Sequence, residues 1–181
     1  MDNEVINKRD YYKKQRKAFL NEARILSSLF DIKEVVKVLD YFEERENAYI
    51  VMEFVQGISL RQYLESRNQT MSFTEAWNFL LPVMEALEKV HQNKLIHRDI
   101  SPDNFIIKED GSIKLLDFGS AREYAEEKTM TVLVKKGYAP PEQYSRKGEQ
   151  GPWTDIYSIC ATLYEMITGV IPQPAMERLK A

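Results

Sequence analysis

His97-Arg98-Asp99-Ile100-Ser101-Pro102-Asp103-Asn104 runs straight into the apolar stretch Phe105-Ile106-Ile107. This order sets a carboxylate, Asp99, and a carboxamide, Asn104, on one loop just before a strand. A second carboxylate, Asp117 in Asp117-Phe118-Gly119, closes the next strand. The hairpin between them should bring Asp99, Asn104 and Asp117 to one edge. Asn104 and Asp117 are hard oxygen donors of the kind that hold Mg²⁺ together with bound phosphates. Asp99 is then left to accept a proton from an attacking hydroxyl. The competing reading makes all three ordinary turn residues, because Asp and Asn favour turns.

Outward from this centre the chain alternates helical and strand patterns. Phe19, Ala23, Leu26 and Phe30 recur at helical spacing, which predicts a helix from Asp10 to about Phe30. Val35–Phe42 and Ala48–Val55 read as strands joined by a polar turn, Glu43–Asn47. Gly57 breaks the second strand, and Ser59–Ser66 reads as a short helix. Ser72-Phe73-Thr74-Glu75 is a capping-box signature for a long helix to about Gln92, with a kink expected at Pro82. Phe105–Lys108 and Ser112–Leu116 form strands around an Asp110-Gly111 turn. Residues 117–151 show little periodicity, which marks a functional loop. A last helix spans Asp155–Thr168 and stops at Gly169.

The motifs in this frame resemble those of eukaryotic-type serine/threonine protein kinases in their bacterial form. H-R-D-x-x-x-x-N and D-F-G both stand intact and in order. Gly137-Tyr138-Ala139-Pro140-Pro141-Glu142 looks like the segment that closes in A-P-E. Trp153-Thr154-Asp155 looks like the start of the helix whose aspartate braces the catalytic loop. Tyr49–Val55 looks like the fifth strand and hinge, and Glu22 looks like the helix-C glutamate.

The resemblance implies an α+β fold of protein-kinase type. It would comprise an incomplete small lobe (helix C with strands four and five, residues 1–55, including the hinge) and a partial helical large lobe (residues 56–181). It also implies ATP and Mg²⁺ as substrate and cofactor, and a protein serine or threonine as acceptor. Residue by residue, Asp99 would take the proton of the substrate hydroxyl, and Asn104 and Asp117 would hold the metal. Met52 would be the gatekeeper, Glu53 and Val55 would offer backbone groups to adenine, and Ile106 would floor that pocket. Arg98 would pair with a phosphorylated residue of the activation loop, Thr129 or Thr131. Asp155 would be a brace.

The departures from the pattern are specific. No two of the seven glycines are spaced as G-x-G, and nothing before Asp10 reads as V-A-I-K. Glu22 thus lacks the lysine it would pair with and reads as a solvated helix residue. Glu142 lacks its late-helix arginine, because Arg178 stands in the wrong context. Ser101 occupies a place usually held by lysine in serine/threonine kinases. These absences read as truncation at both ends, with weak or no activity expected and an apolar helix face left open to self-association. Two rivals are a pseudokinase scaffold, disfavoured by the intact Asp99, Asn104 and Asp117, and a small-molecule kinase of aminoglycoside or choline type. The latter class typically lacks the segment from Asp117 to Glu142.

Composition sets the outer limits. The 181 residues are 44% hydrophobic and 29% charged, with a net charge of -3, which suits one ordinary globular domain and gives no global pull toward nucleic acid. The basic run from Lys8 to Lys17 reads as a solvated helix face. One cysteine, Cys160, excludes an internal disulfide and reads as a buried thiol in a reducing, cytoplasmic setting. The apolar stretch Ile156–Ile171 is broken by Glu165 and is too short for a membrane span. His97 and His91 read as packed or structural histidines, and Trp77, Trp153 and Met84 as core.

Overall fold

Asp110 and Gly111 reverse the chain in an exposed turn between two strands. Gly111 takes φ 78°, in the left-handed region that glycine enters without steric cost. The Asp110 carboxylate accepts the N–H of Ser112 at 2.9 Å, and the N–H of Lys108 reaches the Ser112 carbonyl at 2.9 Å. The hydroxyl and N–H of Ser112, with Lys108, hold the exposed Asp110 carboxyl down at about 2. The flanking strands are β5 (Phe105–Ile107) and β6 (Ile113–Leu115). Both are shorter than predicted because Lys108 and Ser112 are used in closing the turn.

The computed structural model describes residues 2–118, 122–123, 134–145 and 147–180. In chain order the other elements are α1 (Asp2–Ser27), β1 (Val38–Glu44), β2 (Asn47–Met52), β3 (Ile58–Ser59), α2 (Leu60–Ser66), α3 (Phe73–Gln92), β4 (Leu95–Ile96), β7 (Arg122–Glu123), α4 (Pro152–Thr168) and α5 (Ala175–Arg178). The first hairpin pairs β1 with β2 through Arg45 and Glu46, both at positive φ, as a two-residue primed turn demands. β1 starts later than the predicted Val35 because residues 34–36 leave the hairpin for β6. There the Val36 N–H reaches the Leu115 carbonyl at 3.0 Å, and the Leu115 N–H reaches Glu34 at 2.7 Å. β3, β5 and β6 make one antiparallel sheet, and β4 pairs with β7.

The helices follow their capping signals. Ser59 and Gln62 form a reciprocal capping box at α2, and Ser72 caps α3 by accepting the Glu75 N–H at 3.2 Å. The Glu75 side chain does not reach back as predicted. It turns to Arg67, 2.8 Å away. α3 runs unbroken through Pro82. α4 ends at Gly169, φ 72°, whose N–H closes on the Glu165 carbonyl at 2.7 Å. α3 and α4 pack together over the sheet, with Leu80, Val83, Leu87, Phe105, Ile159 and Met166 in one buried cluster.

Several apolar side chains lie elsewhere than predicted. α1 buries Ala23 and Leu26, yet Phe19 and Phe30 from the same stripe are exposed. Trp77 is 41% and Trp153 55% exposed, so neither is core, whereas Met84 does pack against the core. Cys160 is exposed rather than buried. Trp77, Trp153 and Cys160 sit on the outward sides of α3 and α4, whose other sides carry the core contacts, and Phe30 lies in the turn that follows α1. Among the described residues no helix is long and apolar enough to cross a membrane.

Candidate active site

Asp155 organises the loop. Fully buried in the first turn of α4, its carboxylate accepts the backbone N–H of His97 at 2.9 Å and that of Arg98 at 2.9 Å. The ring of His91, at the end of α3, adds a third bond at 2.8 Å. Arg98 stands at φ 71°, a conformation that is costly for a side chain with a Cβ. Asp155 holds its N–H, and the Gln143 side chain donates to its carbonyl at 2.7 Å, so the turn is pinned from both sides.

His97 ties the loop to the strand beyond it. Its Nδ1 accepts the Asp99 N–H at 3.2 Å, and its Nε2 meets the Leu116 carbonyl at 2.9 Å. The first bond needs a bare nitrogen and the second a protonated one, so the ring is the neutral Nε2–H tautomer. Complete burial favours that state. It pushes the imidazole below its ordinary pKa, although Asp155, the Leu116 carbonyl, Asp99 and Asp117 all pull the other way. Phe118 packs edge-on against the ring, with centroids 4.4 Å apart. The predicted packed histidine is therefore observed, and it carries the contacts that join the two motifs.

The three predicted polar residues meet around this ring. Asn104 donates through Nδ2 to the Asp99 carbonyl at 2.7 Å and to the Asp99 carboxylate at 3.0 Å. Its own carbonyl accepts the Leu116 N–H at 2.8 Å, which seats Asp117 directly beside it in the chain. Asp117 is exposed and takes φ 57°. Asp99 and Asp117 both lie near enough to His97 to act on its charge. With Nδ2 committed to Asp99, the Asn104 amide has Oδ1 to offer a cation, and the Asp117 carboxylate supplies a second hard oxygen. This donor set fits Mg²⁺, which binds through one or two protein groups together with phosphate and water. Among the described residues no cluster of three or more His, Cys, Asp or Glu side chains could hold a metal by itself.

The predicted hinge lies against the same sheet. Gly57 approaches β5 so closely that an added Cβ would stand 2.2 Å from the Ile107 carbonyl oxygen and 2.7 Å from Ile106 Cγ2. Ile106 is therefore in close contact with Gly57, two residues beyond Val55. Met52 is about half exposed. The Glu53 N–H is committed to the Lys37 carbonyl at 2.9 Å, which leaves its carbonyl as the backbone group available to a ligand. Its carboxylate binds the Lys114 ammonium and accepts the Lys37 N–H at 2.8 Å. Burial raises the Glu53 pKa, but these partners outweigh it and hold the group below its usual range.

Other candidates are placed less completely. The Glu22 side chain, Gly119, Thr129 and Thr131 lie outside the described residues. Glu142 accepts the Thr154 hydroxyl at 2.9 Å, and the Arg178 guanidinium donates to the Tyr157 hydroxyl, so Arg178 is indeed engaged elsewhere. Sequence reasoning missed a cluster in which Arg61 on α2 binds Glu165 on α4 and the Tyr138 hydroxyl, 2.7 Å away. Tyr138 also donates to Glu165. The signal available was Glu165 itself, a carboxylate inside an apolar helix that needs a buried partner. The ion pairs of Asp103 with Arg61 at 3.3 Å and with Lys135 at 2.7 Å were missed too.

Known proteins share this arrangement. Residues 4–180 match the family described as protein kinase domain. The chain is 38% identical over 157 residues to the serine/threonine-protein kinase PrkC of Bacillus subtilis, covering 85% of this chain and 24% of that protein. It is 35% identical over 157 residues to the serine/threonine-protein kinase PknL of Mycobacterium tuberculosis, covering 85% of this chain and 39% of the relative. A solved structure described as "PpkA-294 apo form" superposes with a TM-score of 0.74 at 32% identity, over 93% of this chain and 59% of that one. The chain thus spans between about a quarter and two fifths of the length of these two relatives. With the H-R-D loop braced by Asp155 and tied through His97 to Leu116 and Phe118, and with residues 4–180 matched, the chain belongs to the protein kinase domain family.

Proposed function

We propose that the chain transfers the γ-phosphoryl group of ATP to serine or threonine hydroxyls of proteins, in a cytoplasmic setting. The observation that carries this reading is the contact of Asn104 with Asp99, next to Asp117 and around the neutral ring of His97. Asp99 orients the acceptor hydroxyl and receives its proton, an effect worth about 10² to 10⁴ in rate. Asn104 and Asp117 would hold Mg²⁺, which when bound neutralises charge on the phosphates. Met52 and Ile106 line the adenine side, where the Glu53 carbonyl and the Val55 backbone are the groups offered to the base. Arg98 is the residue proposed to pair with a phosphorylated Thr129 or Thr131. The names of the relatives support a protein acceptor over a small molecule, and a set of three intact polar residues supports an enzyme over a scaffold.

Incubation of the chain with labelled ATP, Mg²⁺ and a generic protein acceptor tests the proposal. Slow transfer to serine and threonine is expected, because the sequence holds no G-x-G loop. Asp99→Asn should lower it by about a hundredfold or more. Transfer that survives Asp99→Asn, or that depends on a small-molecule acceptor, would overturn the assignment.

A further inference from the structure

Phosphoryl transfer needs cationic groups aimed at the oxygens of the group in flight. The loop from His97 to Asn104 contains one cation, Arg98, and that residue is 3% exposed, with its backbone pinned by Asp155 and Gln143. Ser101, two residues beyond Asp99, is fully buried, and among the described residues its Oγ has no hydrogen-bond partner. It brings no charge to the site. Among the described residues two cations from elsewhere reach this turn, both on the Asp103 carboxylate. Arg61 is also bound to Glu165 and Tyr138. Lys135 is a third exposed, and its ammonium lies 2.7 Å from Asp103.

The backbone under Lys135 is fixed, while its side chain is in part open to solvent. The Lys135 carbonyl accepts the N–H of Tyr138 at 3.1 Å and of Ala139 at 3.0 Å, and Tyr138 is held in turn by Arg61 and Glu165. If the ammonium leaves Asp103, the carboxylate retains Arg61 at 3.3 Å, so no isolated charge is left behind. We propose that Lys135 supplies the cation that contacts the γ-phosphoryl oxygens, swinging from Asp103 to the nucleotide when ATP is bound. This rests on the kinase reading above and assigns within it a residue outside the H-R-D and D-F-G motifs.

Binding of Mg²⁺ with a non-hydrolysable ATP analogue, and of Mg²⁺ with ADP, to the 181-residue chain separates the two ideas. Lys135→Met should weaken the triphosphate by about tenfold, the scale of one charge-assisted hydrogen bond, and leave ADP unchanged. Lys135→Arg should keep most of the affinity. Should the methionine variant fail to fold, Lys135→Gln serves the same comparison. If the unaltered chain binds neither nucleotide, the kinase reading fails and takes this inference with it. If it binds both, and the variant either holds the triphosphate as tightly or loses ADP equally, the assignment of Lys135 alone is wrong.

Discussion

Asp155 holds the backbone N–H of Arg98 at 2.9 Å, so a side chain on α4 fixes a main-chain turn far away in sequence. The same carboxylate takes the His97 N–H and the His91 ring. Asp155→Ala would strand two buried N–H donors, those of His97 and Arg98, and remove a bond to the part-buried His91 ring. We expect a loss of about 3–5 kcal/mol in unfolding free energy, as for removal of one partner from a buried charged network. Asp155→Asn keeps the shape and one oxygen and should cost less. Urea unfolding checks the order, and an alanine variant as stable as the parent would show that the brace carries no energy.

His97 gives stability a definite pH dependence. Its pKa in the folded chain is pushed below the ordinary 6.5 by burial, so on acidification the unfolded chain takes up the proton first. The neutral ring's contribution is complete above pH 6.5 and is lost as pH falls below it. The difference in stability between the parent and His97→Gln should therefore shrink between about pH 7 and pH 5. A difference that grows over that range would mean that the fold favours the charged ring, and a constant one that folding leaves its pKa unshifted; either result contradicts the burial argument.

The meeting of Asp99, Asn104 and Asp117 could be read from sequence because each lies in a contiguous stretch, and the Asp110-Gly111 turn between those stretches declares itself. Helix starts at Ser59 and Ser72 were legible for the same reason, since a capping residue acts within four positions of itself. Contacts across the fold were not. Nothing local joins Arg61 to Glu165, or Lys135 to Asp103, because those pairs exist only once α2, α4 and the catalytic turn are packed. Exposure was misread where composition alone was used. Cys160 lies in an apolar stretch and Trp153 is a large apolar residue, but the outward side of a helix is set by its neighbours and not by its letters. The roles of Met52, Val55 and Ile106 came from resemblance, and the structure adds the close approach of Gly57 to Ile106.

The Arg61–Glu165 pair joins α2 to α4 beneath Tyr138. Burial works against the charge on Arg61, yet Glu165 and Tyr138 raise its pKa overall. Arg61→Met leaves a buried carboxylate without its partner and should cost about 3 kcal/mol. Arg61→Met with Glu165→Met removes both charges and should cost clearly less than the two single changes added together. A double-mutant cycle with a coupling energy under about 0.5 kcal/mol would show the two sites to be independent.

Gly57 tests whether the hinge and Ile106 act as one surface. A methyl there meets the Ile107 carbonyl oxygen at 2.2 Å and Ile106 Cγ2 at 2.7 Å, and neither the strand backbone nor the packed isoleucine can yield without moving. Gly57→Ala should therefore cost about 1–3 kcal/mol of stability, as overpacking does. By pushing residues 53–56 away from Ile106 it should also weaken adenine-nucleotide binding by about tenfold. Gly111→Ala is the matched control. Its φ of 78° also disfavours a side chain, but open space surrounds it, so it should lose about 1 kcal/mol while nucleotide binding holds. Calorimetry on both variants separates the two costs. If Gly57→Ala binds nucleotide as tightly as Gly111→Ala does, the hinge and the floor of the pocket are not coupled through this contact.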